Sequence, residues 1–240
     1  MNSFQLANES SSLLSLSPKF ILPEDKRPQL SDVTSLDSIP IIDLSDHGYN
    51  DDNPSSSLMV QKISQACEEY EFFQIVNHGI PEQFCTKMMT AITDLFNHPP
   101  EQIGQLYTTD PTKNTKLYNN YLHVEGGEKV KMWSECFSHY WYPIKDIIHL
   151  LAQEIGTQYG PDPEPELTLG LPVHTDFNAL TVVLQSEVSD LLVIKDGKWV
   201  AVPVNPNAFV INLGDQIQVS TGLGPQNTIA KLKSWDFLEN

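Results

Sequence analysis

The sequence predicts a mixed α/β (α+β) chain, with helices and strands in the front and almost only strands in the back. Three observations carry this. A wide apolar stripe over residues 84 to 96 has the 3.6-residue period of a helix. After residue 170, short apolar runs rich in β-branched residues follow one another, with Asp196-Gly197 between two of them as a hairpin turn. Between the two patterns lies Gly160-Pro161-Asp162-Pro163-Glu164-Pro165, a proline-rich joint.

Taken in order, residues 1 to 38 are rich in Ser, Asp and Pro and read as an extended N-terminal arm, in which Leu13, Leu14 and Leu16 suggest a short docking helix. Ile39–Leu44 is the first strand, and Pro40 places it at a strand start or a sheet edge. An acidic loop runs from His47 to Ser57. Ser57 is then expected to cap a helix whose apolar positions are Met59, Ile63, Ala66, Cys67 and Tyr70. Phe72–Val76 reads as a strand. Glu71 stands at the turn before it, where glycine would be easier. Pro81 and Glu82 open a second helix, in which Phe84, Cys85, Met88, Met89, Ile92, Leu95 and Phe96 are expected to pack into a core. Pro99 and Pro100 end it. Residues 101 to 142 are dense in aromatic side chains and suit strands and loops, and Ile147–Ile155 suggests a further helix. In the back, Leu191–Ile194, Trp199–Val202 and Ala208–Leu213 read as strands, Gly214-Asp215 as a turn or cap, and residues 220 to 240 as a tail without strand alternation.

Composition excludes several classes of function. The chain has 14 basic and 31 acidic residues, a net charge of −17, and a single arginine, Arg27. It offers no basic groove for nucleic acid and no attraction to an anionic membrane surface. No run of 18 apolar residues marks a membrane span, and no secretory signal is visible. Cys67, Cys85 and Cys136 are odd in number and far apart, which suits a reducing compartment such as the cytoplasm.

One short motif carries chemistry. In His174-Thr175-Asp176 the imidazole and the carboxylate are two residues apart, so in extended chain they point to one side. Two such groups are two-thirds of the facial triad that holds non-haem Fe(II) with positions left open. A plain hydrogen-bonded pair at a strand end is the alternative. Leu180, Val182 and Leu184 are expected on the metal side of the following strand, with Thr181 and Val183 opposite. His123, His139 and His149 share no spacing and read as surface or core histidines.

Five ordered stretches then place the chain: Ile39–Leu44, Phe72–Pro81, Leu171–Asp176 with Leu180–Gln185, Asp196–Trp199, and Phe209–Asp215. Together they resemble the plant 2-oxoglutarate- and Fe(II)-dependent dioxygenases, the family of flavanone hydroxylase, hyoscyamine hydroxylase and the downy-mildew-resistance hydroxylases. The resemblance implies an incomplete double-stranded β-helix, or jelly roll, behind a helical N-terminal region. It divides the chain into an arm (1 to 38), an N-terminal dioxygenase region (39 to 160), a partial jelly-roll domain (161 to 219) and a divergent tail (220 to 240). It also implies an oxidoreductase with Fe(II) on His174 and Asp176, 2-oxoglutarate as cosubstrate, ascorbate as a possible helper, and a small aromatic or alkaloid-like plant metabolite as substrate, hydroxylated or desaturated.

The same resemblance implies two further residues that this sequence lacks. No histidine follows Asp176 to serve as third iron ligand, and no arginine follows Arg27 to pair with the distal carboxylate of 2-oxoglutarate. The resemblance also implies several dozen residues between Gly160 and Pro161 that are missing here relative to the family pattern. The expectation is a chain truncated internally and at its C-terminus that does not turn over as written, with a non-catalytic binding remnant as the alternative. His139, His149 or Glu187 would have to move to complete the metal site.

Overall fold

A computed structural model describes residues 16–27, 33–35, 39–45, 54–110, 112–124, 126–139, 156–158, 165–176, 178–187, 191–221 and 228–231. The expected helix at 147–155, the docking leucines Leu13 and Leu14, and His149 lie outside the described residues. The chain divides into two compact units, one of residues 1–27 and 86–172 and one of residues 28–85 and 173–240. Each unit therefore draws on both arm and body of the chain, and the second draws on both sides of the proline-rich joint.

The second unit is built on two four-stranded sheets. One sheet has the order β2 (Ile41–Asp43), β3 (Phe72–Val76), β12 (Phe209–Leu213) and β9 (Leu180–Leu184). The other has the order β1 (Thr34–Ser35), β11 (Lys198–Ala201), β10 (Leu191–Lys195) and β13 (Thr228–Lys231). In the first sheet Val210 lies opposite Gln74 on one side and Val183 on the other. Directly paired residues share a face, and this face packs inward: Phe72, Val210 and Val183 meet Leu191, Val193, Val200 and Val202 of the second sheet. Gln74 is buried on the same face, and its Nε2 donates to the Pro203 carbonyl at 2.8 Å. The opposite face, with Phe73, Phe209 and Ile211, packs on Met59 and Ala66 of the helix Pro54–Glu69 and on Cys85. Apolar residues sit on both faces of β3 and β12, which is why those two strands read as continuous apolar runs.

The helix begins at Pro54, three residues before Ser57, because proline is already shaped for the first helical position and leaves no donor unpaired there. At its other end Glu71 takes a φ of 60° while its N–H donates to the Ala66 carbonyl. This left-handed cap costs a non-glycine residue about 1–2 kcal/mol. It lets the Glu71 carbonyl accept the Leu213 N–H at 2.9 Å, tying the helix end to β12. The turn between β10 and β11 has φ values of 51° at Asp196 and 74° at Gly197, as the Asp-Gly pair predicts. The tail is not devoid of strand: β13 pairs antiparallel with β10, Leu192 opposite Ala230.

In the first unit a three-stranded sheet has the order β4 (Thr115–Tyr118), β7 (Glu135–His139) and β8 (Gly156–Gln158), and β5 (Tyr121–His123) pairs with β6 (Lys129–Lys131). Leu117 and Phe137 of this sheet bury Phe96 and Ile103. Phe96 belongs to the helix Glu82–Asn97, whose apolar stripe is only partly buried: Phe84 is 55% and Met88 38% exposed. The stripe is wider than the single seam a helix needs to cover, so its flank stays in solvent. A second small core joins Leu16 and Phe20 of the arm to Trp133. The arm is docked further by the Leu22 N–H, which donates to the Leu167 carbonyl at 2.9 Å.

Candidate functional site

His174 and Asp176 precede β9 in the second unit, and their side chains converge. His174 Nε2 lies 3.5 Å from Asp176 Oδ1, with the imidazole 39% and the carboxylate 16% exposed. Two donors about 2.1 Å from one ion and at right angles stand about 3 Å apart. The pair is thus close to the spacing of neighbouring ligands on one divalent cation, on a side open to solvent.

What holds the pair is the backbone of the following turn and the segment after β12. The Asp215 N–H donates to the Asp176 carbonyl at 2.7 Å, the Gln216 N–H to the Asn178 carbonyl at 3.2 Å, and the Gly214 N–H to the Ala179 carbonyl at 3.0 Å. Between the two ligands, Thr175 Oγ1 donates to Asp215 Oδ2 at 3.1 Å. Asp215 therefore binds the turn through both its backbone and its carboxylate. Gly214 is obligatory for a steric reason: a Cβ there would lie 2.0 Å from the Asn178 carbonyl oxygen. Sequence reading found Gly214-Asp215 only as a turn or cap. The signal it missed is a Gly-Asp pair directly after an apolar strand, with the glycine making close backbone contact.

The strand after the turn shows its two faces differently. Val183 packs into the core between the sheets, whereas Leu180 and Val182 are 46% and 55% exposed. Alternation from Asp176 to Leu180 assumes a continuous extended chain, and the chain bends at Asn178–Ala179. The Asn178 amide and the Thr181 hydroxyl stabilise that bend by exchanging hydrogen bonds at 3.1 and 3.3 Å.

The pair gains no third donor among the described residues: no group of three His, Cys, Asp or Glu side chains able to hold a metal occurs there. His139 belongs to the first unit, where it is 3% exposed and its Nδ1 lies 2.6 Å from Thr115 Oγ1. Glu187 is exposed beyond the end of β9. The strand β13 contains neither histidine nor arginine. Arg27 is also in the first unit, where its Nε donates to the Leu22 carbonyl at 2.8 Å. One polar group of the second unit is left over. Asn212 on β12 is 2% exposed, and neither Oδ1 nor Nδ2 has a hydrogen-bond partner among the described residues. The described side chains thus fit two positions of a three-ligand Fe(II) centre and do not close it, and the one arginine, Arg27, is not in the unit that holds them.

Comparison with known proteins agrees with this architecture. A model of the N-terminal region of non-haem dioxygenases in morphine synthesis matches residues 39–157, and the 2OG-Fe(II) oxygenase superfamily model matches residues 139–230. The protein DMR6-LIKE OXYGENASE 1 of Arabidopsis thaliana is 34% identical, covering 89% of this chain and 74% of its own length. That alignment spans 264 positions, more than the 240 residues of this chain, so the relative has internal residues without a counterpart here. Flavanone 3-dioxygenase 2 of rice, Oryza sativa subsp. japonica, is 32% identical over 83% of this chain and 70% of its own. Among solved structures, JOX2 in complex with 2OG, Fe and JA superposes with a TM-score of 0.73 at 25% identity, covering 97% of this chain and 79% of that one. The auxin-oxidising dioxygenase 1 of Arabidopsis thaliana shares the fold at a TM-score of 0.61 and 19% identity. On these matches the chain belongs to the 2OG-Fe(II) oxygenase superfamily, as a plant-type 2-oxoglutarate- and iron-dependent dioxygenase with the jelly-roll fold.

Proposed function

We propose that His174 and Asp176 form a two-donor site for a divalent metal, and that this chain by itself does not complete the oxygenase reaction of its family. The observation that carries the proposal is the convergence of the two side chains at 3.5 Å without a third donor beside them among the described residues. Fe(II) with 2-oxoglutarate supplies the oxidising chemistry in this family. This chain's residues contribute an imidazole, a carboxylate and a backbone-locked turn. Two protein donors bind Fe(II) less tightly than three, and with Arg27 in the other unit the cosubstrate carboxylate meets a chain of net charge −17.

The substrate class we infer is a small aromatic or alkaloid-like plant metabolite. Support comes from the relatives, among them a naringenin,2-oxoglutarate 3-dioxygenase of Arabidopsis thaliana at 28% identity. The compartment we infer is the cytoplasm, from three cysteines none of which is in a disulfide. No helix of the described residues is long and apolar enough to cross a membrane.

Anaerobic titration with Fe(II), followed by an assay of 2-oxoglutarate consumption, tests the proposal. Weak binding that His174→Ala and Asp176→Asn each reduce to salt-sensitive, unselective uptake, with no consumption of 2-oxoglutarate, is the expected result. Tight stoichiometric iron with turnover would overturn it.

A further inference from the structure

We propose that the first unit carries a separate binding site for a small carboxylate with an apolar body, in the cleft between the arm and the β5–β6 hairpin. The cleft has a volume of about 580 Å³, and everything that lines it belongs to the first unit. It neither includes His174 or Asp176 nor depends on the reading of them given above. The cleft is largely open to solvent, and its volume exceeds what a bare ion needs.

The charge of the lining is opposite to that of the chain. Acidic residues outnumber basic ones by 31 to 14 in the whole sequence. Among the described lining residues, Lys19, Arg27 and Lys129 stand with one acid, Glu128. A local excess of cations in an acidic protein favours an anion there, because the surrounding field opposes any anion elsewhere.

Arg27 gives the anion its shape. The Nε–H donates to the Leu22 carbonyl at 2.8 Å, which fixes the guanidinium plane and leaves the terminal N–H groups for a bidentate acceptor. Among the described residues Arg27 has no carboxylate partner. A planar carboxylate matches this fork better than a spherical ion does.

The rest of the lining gives the body. Pro18, Ile21, Val124 and Val130 present carbon surface beside the cations. On the same arm segment Phe20 is 1% exposed, with the Lys19 and Lys131 ammonium groups 4.9 and 5.4 Å from its ring centre. Phe20 in turn meets Trp133 edge-on at 4.7 Å. This aromatic pair anchors the arm segment that carries Pro18, Lys19 and Ile21, so the arm is fixed in place rather than closing over a ligand.

Calorimetric titration of the full chain in EDTA with benzoate, benzyl alcohol and inorganic phosphate tests this proposal. EDTA removes the metal question, so failure here is separable from failure of the His174–Asp176 reading. Benzoate is expected to bind saturably at one site, and at least ten-fold more tightly than benzyl alcohol or phosphate. Arg27→Gln is expected to weaken benzoate at least ten-fold, and Lys129→Gln, which leaves the Leu22 hydrogen bond intact, several-fold. Melting temperatures of both variants serve as the folding control, and Lys129→Gln carries the test if Arg27→Gln unfolds. No saturable benzoate binding, equal binding of phosphate, or unchanged affinity in a folded variant would each overturn the proposal.

Discussion

Gly214→Ala is the substitution for which the structure makes the sharpest demand. The new methyl carbon would lie 2.0 Å from the Asn178 carbonyl oxygen, 2.7 Å from its carbonyl carbon and 2.6 Å from its side-chain Oδ1. Two of the three obstacles are backbone atoms, so no rotamer change relieves the contact. The segments 176–179 and 214–216 must separate by about 1 Å, and three hydrogen bonds of 2.7, 3.0 and 3.2 Å stretch with them. At about 1 kcal/mol net for each bond, the loss is about 3 kcal/mol. For a chain of this size that corresponds to a fall in Tm of roughly 6–12 °C. The same separation loosens Asp176, so affinity for Co(II), a spectroscopic stand-in for Fe(II), should fall as well. Calorimetric melting with and without Co(II) reads both effects. A variant that melts within about 2 °C of the parent and binds Co(II) equally well would refute the close-contact account.

Gly197→Ala places a Cβ at a φ of 74° in the Asp-Gly turn and should cost about 1–2 kcal/mol, read by chemical denaturation. Asn212→Leu removes an amide that is 2% exposed and without a hydrogen-bond partner. It should stabilise the chain by about 1–3 kcal/mol, and destabilisation instead would reveal a bound polar group satisfying the amide. Glu135 gives a pH dependence. Burial pushes its carboxyl up from the ordinary value, against the nearby Tyr107 hydroxyl and the charge of Lys131. The folded state therefore holds this proton more firmly than the unfolded state. Glu135 penalises folding at neutral pH, and the penalty fades as pH falls toward the ordinary value of about 4.3. Glu135→Gln should melt higher than the parent at pH 7.5, and the difference should close near pH 4.

The elements readable in the sequence were those whose apolar pattern and turn residues agree. Phe72–Val76, Phe209–Leu213 and the Asp196-Gly197 hairpin stand where the pattern placed them. The family, and with it the jelly roll, was legible in five ordered stretches. What escaped notice is tertiary in origin. The exposure of Leu180 and Val182 depends on what covers that face of the strand, which alternation does not encode. The partial exposure of Phe84 and Met88 depends on what meets the helix, which periodicity does not encode. The role of Gly214 and Asp215 rests on contacts reaching back 35 to 40 residues, to Ala179, Asp176 and Thr175. The strand Thr228–Lys231 is four residues long and owes its place to pairing with β10, so its own sequence carries little signal.

Two effects compete for any cation that approaches this chain. The net charge of −17 concentrates every divalent ion near the surface, without regard to its chemistry. That attraction is screened beyond about 8 Å at physiological salt. The His174–Asp176 pair acts instead through directed donors 3.5 Å apart, one of them an imidazole, which favours transition metals over Mg²⁺ or Ca²⁺. Added salt therefore strips the diffuse ions first and leaves the directed one. The two site variants divide the effects in the same way. Asp176→Asn removes a charge as well as a donor, so it weakens both kinds of binding. His174→Ala removes a donor that is neutral when it binds metal. Its loss should erase the preference for Co(II) over Mg²⁺ while leaving salt-sensitive uptake of either ion in place. Selectivity, rather than the amount of metal bound, is the quantity that distinguishes a site from a field.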